Sequence, residues 1–153
     1  MAKFIYTMQN ILDIKYKLEE QQKTVFSLAR HKLTQEEKKL EDLNVKKLKY
    51  QQELKMQMQS LLNIQDIKWY EEAVETMKYK IKIQSLMVKR AENELESARL
   101  KLTEIMVDRK THEKLKENEF EEFKNELNSI EKKEIDELVS FKYNNNTVSS
   151  EED

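Results

Sequence analysis

The sequence predicts an all-α protein, in which two long helices form an antiparallel coiled-coil hairpin, the second helix is the longer one, and a disordered C-terminal tail follows. Two observations lead to this prediction. The 153 residues include no Gly, no Pro and no Cys, and folds with many sharp turns depend on Gly and Pro to form them. Charged and hydrophobic residues each make up 38% of the chain, a balance that is typical of long helices with one narrow apolar stripe.

The first helix is predicted from about residue 3 to residue 57. Its apolar residues recur mainly at steps of three and four, as expected of a helix that packs along a seam with another helix. Two successive four-residue steps between Val25 and Leu33 predict a stutter that locally unwinds the supercoil. In the first half of the chain the predicted seam consists of Phe4, Met8, Ile11, Leu18, Val25, Ala29, Leu33, Leu40, Leu43, Tyr50, Leu54, Leu61 and Ile64.

A turn is predicted at residues 58–63, since one unbroken helix would be about 200 Å long. Asn63 is a good N-cap residue, and Asp66 three residues later favours the positive end of the helix dipole. A short reversal at this point makes the two helices antiparallel neighbours. The alternative is a parallel dimer of unbroken helices.

The second helix is predicted from about residue 64 to residue 143, and its seam is more regular. Gln84 is its one polar member before residue 106. After that point Arg109 and His112 interrupt the seam, and apolar spacing resumes at Leu115. The polar, acidic residues 144–153 are predicted to be disordered, so the hairpin domain spans 1–143. The regular part of the seam consists of Ile67, Tyr70, Val74, Met77, Ile81, Gln84, Val88, Ala91, Leu95, Ala98, Leu102 and Ile105.

The two predicted arms differ in length, about 80 Å for the first helix and about 120 Å for the second. Folding at the turn pairs Phe4 with the neighbourhood of Phe120, and the second helix then extends further without a partner inside the chain. A helix with an uncovered apolar stripe is usually a binding surface. The uncovered stripe consists of Phe123, Leu127, Ile130, Ile135, Leu138 and Phe141.

Trp69 and Tyr70 follow the predicted turn and have two interpretations. In the first, Tyr70 belongs to the seam and Trp69 covers the end of the hairpin. In the second, the pair is an aromatic anchor for a partner protein, because Trp and Tyr contribute strongly to binding energy at interfaces.

The composition argues against an enzyme. Loops that bind phosphate need Gly for close backbone approach, and thiolate chemistry needs Cys. His112 and Glu113 begin like a zinc-binding helix motif, but Lys116 stands at the second ligand position. We therefore expect no catalytic residues, no metal, no cofactor and no small-molecule substrate.

The charge and hydropathy of the chain indicate where the protein is located. A net charge of -2 gives no excess of basic residues of the kind that binds nucleic acid. No stretch approaches the roughly 20 apolar residues that cross a bilayer. We expect a cytoplasmic protein that associates with a membrane at most peripherally.

Three segments together resemble the flagellar FliJ family, over residues 1 to about 143. The first runs from Phe4 to Lys15, with an aromatic start and with Glu19 and Glu20 following it. The second runs from Asn63 to Ile81 and includes Trp69, Tyr70 and Met77. The third is Glu134-Ile135-Asp136-Glu137-Leu138.

This resemblance implies a non-enzymatic coiled-coil stalk of the flagellar type III export apparatus, similar to the γ stalk of rotary ATP synthases. It implies that the end formed by the termini sits in the pore of the hexameric export ATPase. The tip would contact the cytoplasmic domain of the export-gate membrane protein, and export chaperones would be further partners. The alternative functions are a structural tether and a prefoldin-like holdase.

Two groups of site residues follow. On the resemblance, Leu43, Tyr50 and Met77 match residue types of the gate contact, whereas Lys46 and Ala73 depart from the family pattern. Trp69 and Tyr70 complete the tip group. The ATPase-binding end combines the uncovered stripe with neighbouring aromatic and acidic residues, and consists of Phe4, Phe120, Phe123, Leu127, Ile130, Ile135, Asp136, Glu137, Leu138 and Phe141.

Overall fold

The structure, a computed structural model, describes residues 2–60 and 63–151. It contains two helices, α1 (Gln9–Ser60) and α2 (Ile64–Glu151). Over these described ranges no residue lies in a β-strand. The predicted all-α class, with a longer second helix, is confirmed.

The chain divides into two compact units. The central unit is Lys17–Met106, and the terminal unit combines Met1–Tyr16 with Val107–Asp153. In the central unit, Gln22 Nε2 donates a hydrogen bond to the Ala98 carbonyl at 3.2 Å, and the Tyr50 ring lies 5.9 Å from the Trp69 ring. The residue number of the contacting residue on α2 falls as the residue number along α1 rises. The two helical segments of this unit are therefore antiparallel.

The terminal unit has the same antiparallel order. Phe4 contacts Phe120 at 5.3 Å between ring centroids, and Lys15 Nζ lies 2.6 Å from Asp108 Oδ2. Residues 2–8 precede α1 and are not helical, although the sequence predicted a helix from about residue 3. An extended segment directs residues i and i+2 to the same side. Phe4 and Tyr6 are both at least half-buried, as this arrangement allows.

The seam of α2 agrees with the prediction from Ile67 to Ile105, because each predicted position is buried or half-buried. In the terminal unit, Arg109 and His112, which were predicted to interrupt the seam, are half-buried and continue it as polar members. The seam then passes through the half-buried Lys116, whereas Leu115 is exposed. The predicted return of an apolar seam residue at Leu115 is therefore wrong.

The seam of α1 agrees with the prediction from Ala29 to Leu54 and differs before it. The predicted members Met8, Ile11, Leu18 and Val25 are exposed, while Leu12, Glu19 and Gln22 are buried. The observed seam alternates regularly through Gln22, Phe26, Ala29 and Leu33. The predicted stutter is absent, because Phe26 rather than Val25 occupies the seam, and the polar Glu19 and Gln22 hold the two seam positions before it.

Polar residues fit the central seam because α2 supplies small neighbours and hydrogen-bond partners. Ala91 and Ala98 are buried there, and Gln22 bonds to the Ala98 carbonyl. Gln84 Nε2 donates to both the carbonyl oxygen and the carboxylate of Glu36. The bond from Gln84 is the main cause that lowers the pKa of Glu36 below its usual 4.5. A carboxylate can therefore stay charged beside the seam.

The terminal unit is joined by a polar network across its helices. Lys15 pairs with Asp108 at 2.6 Å, and Lys116 Nζ donates to Gln9 Oε1 at 2.6 Å. Arg109 Nη1 donates to Glu113 Oε2 at 2.9 Å, and Arg109 Cζ lies 5.9 Å from the centre of the Tyr16 ring. Hydrogen bonds and ion pairs of this kind depend on direction. They therefore determine which residues face each other more specifically than apolar contacts do.

The helix ends differ from the prediction by a few residues. α1 continues to Ser60 rather than residue 57, and within the predicted turn residues 61 and 62 lie outside the described residues. Asn63 Oδ1 accepts a hydrogen bond from the Gln65 N–H at 3.1 Å, which is the N-cap contact expected of it. Asp66 lies in the first turn of α2.

The C-terminal end of α2 also lies further along than predicted. The helix runs to Glu151 rather than to about residue 143, so residues 144–151 of the predicted tail have helical backbone. This stretch contains no Gly or Pro, the residues that most strongly end a helix. Residues 152 and 153 lie outside the described residues.

Substituting Leu12 tests the observed register of α1. Leu12 is 2% exposed, whereas Leu18 of the predicted seam is 41% exposed. We expect Leu12→Ala to lower the free energy of unfolding by about 2–5 kcal/mol, because it leaves a cavity. Leu18→Ala should change the same free energy by only about 0.5 kcal/mol. Urea denaturation measures both, and equal losses would show that the register is wrong.

Acid titration tests the Lys15–Asp108 pair. The hydrogen bond from Lys15 is the main cause that lowers the pKa of Asp108 below its usual 3.8. Folding therefore holds this carboxylate charged. Its contribution to stability is complete above about pH 4 and is lost as pH falls through the folded-state pKa. We expect Asp108→Asn to be less stable than the parent protein at pH 7, with the difference disappearing as the pH falls below the lowered pKa of Asp108.

The measurement is the melting temperature as a function of pH. Asp136→Asn, which removes an exposed carboxylate from the same helix, is the control and should follow the parent curve. A difference between Asp108→Asn and the parent that persists unchanged at pH 2 would contradict the assignment.

Candidate partner-binding surfaces

Three of the residues predicted for the ATPase-binding end form an aromatic cluster in the terminal unit. Phe4 contacts Phe120 edge to face at 5.3 Å and contacts Phe123 at 5.5 Å. These separations suit favourable aromatic pairs. Leu127 is half-buried one turn further along α2. The cluster joins the segment before α1 to α2, so these side chains have a packing role within the chain.

Beyond this cluster, the predicted stripe of α2 is open to solvent. Ile130, Ile135, Leu138 and Phe141 are 54–64% exposed. Leu127, Ile130, Leu138 and Phe141 fall on one side of the helix, at 100° per residue. Large apolar side chains in such a row are characteristic of surfaces that bind other proteins. The structure therefore divides the predicted end residues into a packed group and an exposed group.

We call residues 126–141 the acidic apolar segment. They include five acidic residues, and Lys132 and Lys133 are the two basic ones. Counted at 100° per residue, Glu126 and Glu137 border the apolar side on one flank and Glu131 on the other. A partner that fits this surface combines an apolar groove with positive charge. The five acidic residues are Glu126, Glu131, Glu134, Asp136 and Glu137.

The aromatic residues predicted for the tip form a second cluster, in the central unit. Trp69 packs edge to face on Tyr50 at 5.9 Å and on Tyr70 at 5.0 Å. Tyr50 and Tyr70 are half-buried, but Trp69 is 56% exposed. Tyr70 therefore belongs to the seam, as the first interpretation predicted. Trp69 is held by two rings and still presents much of its indole to solvent, which also suits the second interpretation.

The other two residues predicted for the gate contact are less accessible. Met77 is 7% exposed and Leu43 is half-buried, so both contribute to packing between the helices. Lys46, which departs from the family pattern, is exposed, and Ala73 is half-buried. Of the predicted tip group, Trp69 is the residue that a partner reaches most directly without separating the helices.

A third surface was missed by the sequence analysis. Tyr79, Ile83 and Leu86 are exposed and lie on the side of α2 that faces away from the seam. Their spacing of i, i+4 and i+7 is the signal that could have revealed them. It was overlooked because the same stretch contains the more regular seam row. We call these three residues, with the flanking Lys80, Lys82 and Lys89, the basic apolar stripe.

No group of three His, Cys, Asp or Glu side chains within residues 2–60 and 63–151 is placed to hold a metal ion. His112 is half-buried, and its Nε2 lies 3.6 Å from Asp108 Oδ1, so it belongs to the polar part of the seam. Neither helix, as far as the structure describes it, has a segment apolar and long enough to span a bilayer. The surfaces described above offer side chains for binding rather than an enclosed pocket.

Comparison with known proteins identifies one family. Curated proteins and solved structures give no match to the chain. The sequence model of the family described as flagellar FliJ protein matches residues 4–147 of the 153. This range includes both helical arms and all three segments on which the resemblance rests. The chain therefore belongs to the flagellar FliJ protein family.

Proposed function

We propose that this chain is a non-enzymatic stalk and adaptor that links the flagellar export ATPase to the export gate. Membership of the FliJ family makes it a coiled-coil protein related to flagellar export. The finer role rests chiefly on one observation, the exposed acidic apolar segment of α2. Its partners in this role are the hexameric export ATPase, the cytoplasmic domain of the export-gate membrane protein, and export chaperones.

The acidic apolar segment is the part proposed to enter the ATPase ring. Ile130, Leu138 and Phe141 would supply apolar anchors, and Asp136 and Glu137 would pair with basic groups that line the pore. Buried apolar anchors contribute most of the affinity at interfaces, while charge complementarity fixes orientation. A single helix in the centre of a ring touches the subunits unequally. Such a contact can transmit the nucleotide state of the ring without any hydrolysis by this chain.

The aromatic cluster of the central unit is the part proposed to contact the gate. Trp69 rests on Tyr50 and Tyr70, so its orientation is fixed before a partner arrives. An anchor that is already ordered loses less conformational entropy on binding. This role places the protein in the cytoplasm, peripherally associated with the membrane at the flagellar base.

Removing residues 129–153 tests the ATPase contact. This truncation deletes the exposed stripe and keeps Phe4, Phe120 and Phe123 together. We expect it to abolish both binding to the export ATPase and stimulation of its activity, with the helical signal falling only in proportion to length. Circular dichroism, a pull-down with the purified ATPase and an ATPase assay measure the three quantities.

A substitution series separates this role from a general loss of apolar surface. Changing Ile130, Leu138 and Phe141 to Ser should weaken ATPase binding by about 30-fold or more, as expected when interface anchors are removed. Changing Leu28, Val45 and Leu48 to Ser is the matched control, since these side chains are similarly exposed. If the truncated protein stimulates the ATPase as well as the full chain does, the segment is not the binding element.

Substituting Trp69 tests the gate contact. We expect Trp69→Ala to weaken binding to the cytoplasmic domain of the gate protein by about 30-fold, because it removes an aromatic anchor. Binding to the ATPase should be unchanged. Isothermal titration calorimetry with each partner measures both affinities. Ile64→Ala removes a 73% exposed side chain near the same helix end and should have no effect. Equal losses from both variants would refute a specific role for Trp69.

A further inference from the structure

The basic apolar stripe is a solvent-exposed face of α2 within the central unit. Tyr79 is 66% exposed and Leu86 is 64% exposed, with Ile83 between them at 44%. At 100° per residue, the three lie within an arc of about 60° on the side of α2 away from the seam. None of them is needed to hold α1, so their exposure is not explained by packing in the hairpin.

The charges around this stripe all have one sign. Residues 76–91 contain five basic residues and no acidic residue. Lys78 and Arg90 pair with Glu75 and Glu94, which lie outside this range. Within the described residues, no ion pair is recorded for the other three, which are Lys80, Lys82 and Lys89. Lys82 and Lys89 are one heptad apart on one flank of the stripe, and Lys80 borders the opposite flank. The stripe therefore suits a narrow apolar partner that has acidic residues on both sides.

The acidic apolar segment has these complementary properties. Its apolar side includes Ile130, Leu138 and Phe141, and acidic residues border that side on both flanks. From Ile130 to Phe141 the helix rises about 16 Å, which exceeds the rise of about 10 Å from Tyr79 to Leu86. The segment is long enough to cover the whole stripe. Flanking charges of opposite sign on two helices are the device by which coiled coils choose their partners.

We propose that the basic apolar stripe of one copy binds the acidic apolar segment of a second copy. The apolar rows of the two helices meet. Lys82 and Lys89 of one copy face Glu126 and Glu137 of the other, and Lys80 faces Glu131 on the opposite flank. A protein partner fits better than a lipid surface, because the apolar row is only one side chain wide and basic residues confine it. This self-association uses the segment that is also proposed to bind the ATPase, but it can be measured with the purified chain alone.

Charge reversal combined with rescue tests this contact. The full chain is studied by sedimentation velocity over a range of concentrations. Association should weaken as salt is raised from about 50 mM to 500 mM, since salt screens the flanking charges. Changing Lys80, Lys82 and Lys89 to Glu should weaken association by about tenfold or more, because three favourable pairs become repulsive. Leu86→Ser should also weaken it, through loss of apolar contact.

The decisive experiment mixes two variants. A chain with Glu126, Glu131 and Glu137 changed to Lys should associate poorly alone, and should associate again when mixed with the chain that has the three Lys→Glu changes. Changing Lys38, Lys49 and Lys55 to Glu is the control for net charge and should leave association intact. Circular dichroism should show the same helicity for all variants.

Several results would overturn the proposal. They are a wild-type chain that stays monomeric at every concentration, equal weakening by the control, and a mixture that does not associate. Binding to vesicles of phosphatidylserine and phosphatidylcholine, lost on reversal of Lys80, Lys82 and Lys89 while self-association persists, would instead assign the stripe to an anionic membrane.

Discussion

Each of the two units depends on the packing of two chain segments along one narrow seam, and within residues 2–60 and 63–151 no third helix covers that seam. Few side chains are therefore removed from water, chiefly Tyr6, Leu12, Val74, Met77, Ala91 and Ala98. Such a seam can stabilise long helices only if nearly every turn contributes a contact. The same thinness leaves most of each helix exposed to solvent. Such packing leaves a large surface that is accessible to other proteins.

The polar members of the seam determine how the helices pair. A row of apolar residues tolerates a shift by one heptad, whereas a hydrogen bond such as that from Gln22 to the Ala98 carbonyl does not. Gln84 bonds to Glu36, and Lys15 bonds to Asp108, each across the two helices of its unit. Both contacts lower the pKa of a carboxyl group. The charge that specifies the pairing is thus retained at neutral pH.

Two of the proposed contacts use the same surface of α2, and this has a functional consequence. The acidic apolar segment is proposed to bind both the export ATPase and the basic apolar stripe of a second copy. One helix face cannot be covered twice, so the two contacts exclude each other. Free protein would then hide its apolar segment through self-association, and the ATPase would displace the second copy. Trp69, which belongs to neither contact, would remain accessible in both states.

The sequence alone determined the fold class, the regular seam of α2 and the cap at Asn63, because these depend on composition, on local apolar spacing and on a local capping residue. The family followed from the resemblance of three segments of the sequence. The sequence did not determine the first third of the α1 seam. Ile11, Leu18 and Val25 follow the spacing rule as well as Leu12 does, and only the position of α2 decides which row is covered. Glu19 and Gln22 are buried in that seam, and Gln22 is accommodated there because the Ala98 carbonyl of α2 accepts its hydrogen bond. The exposure of Tyr79 and Leu86 could not be read from the sequence for the same reason. Two apolar rows run along this part of α2, and only the position of α1 decides which of them is covered.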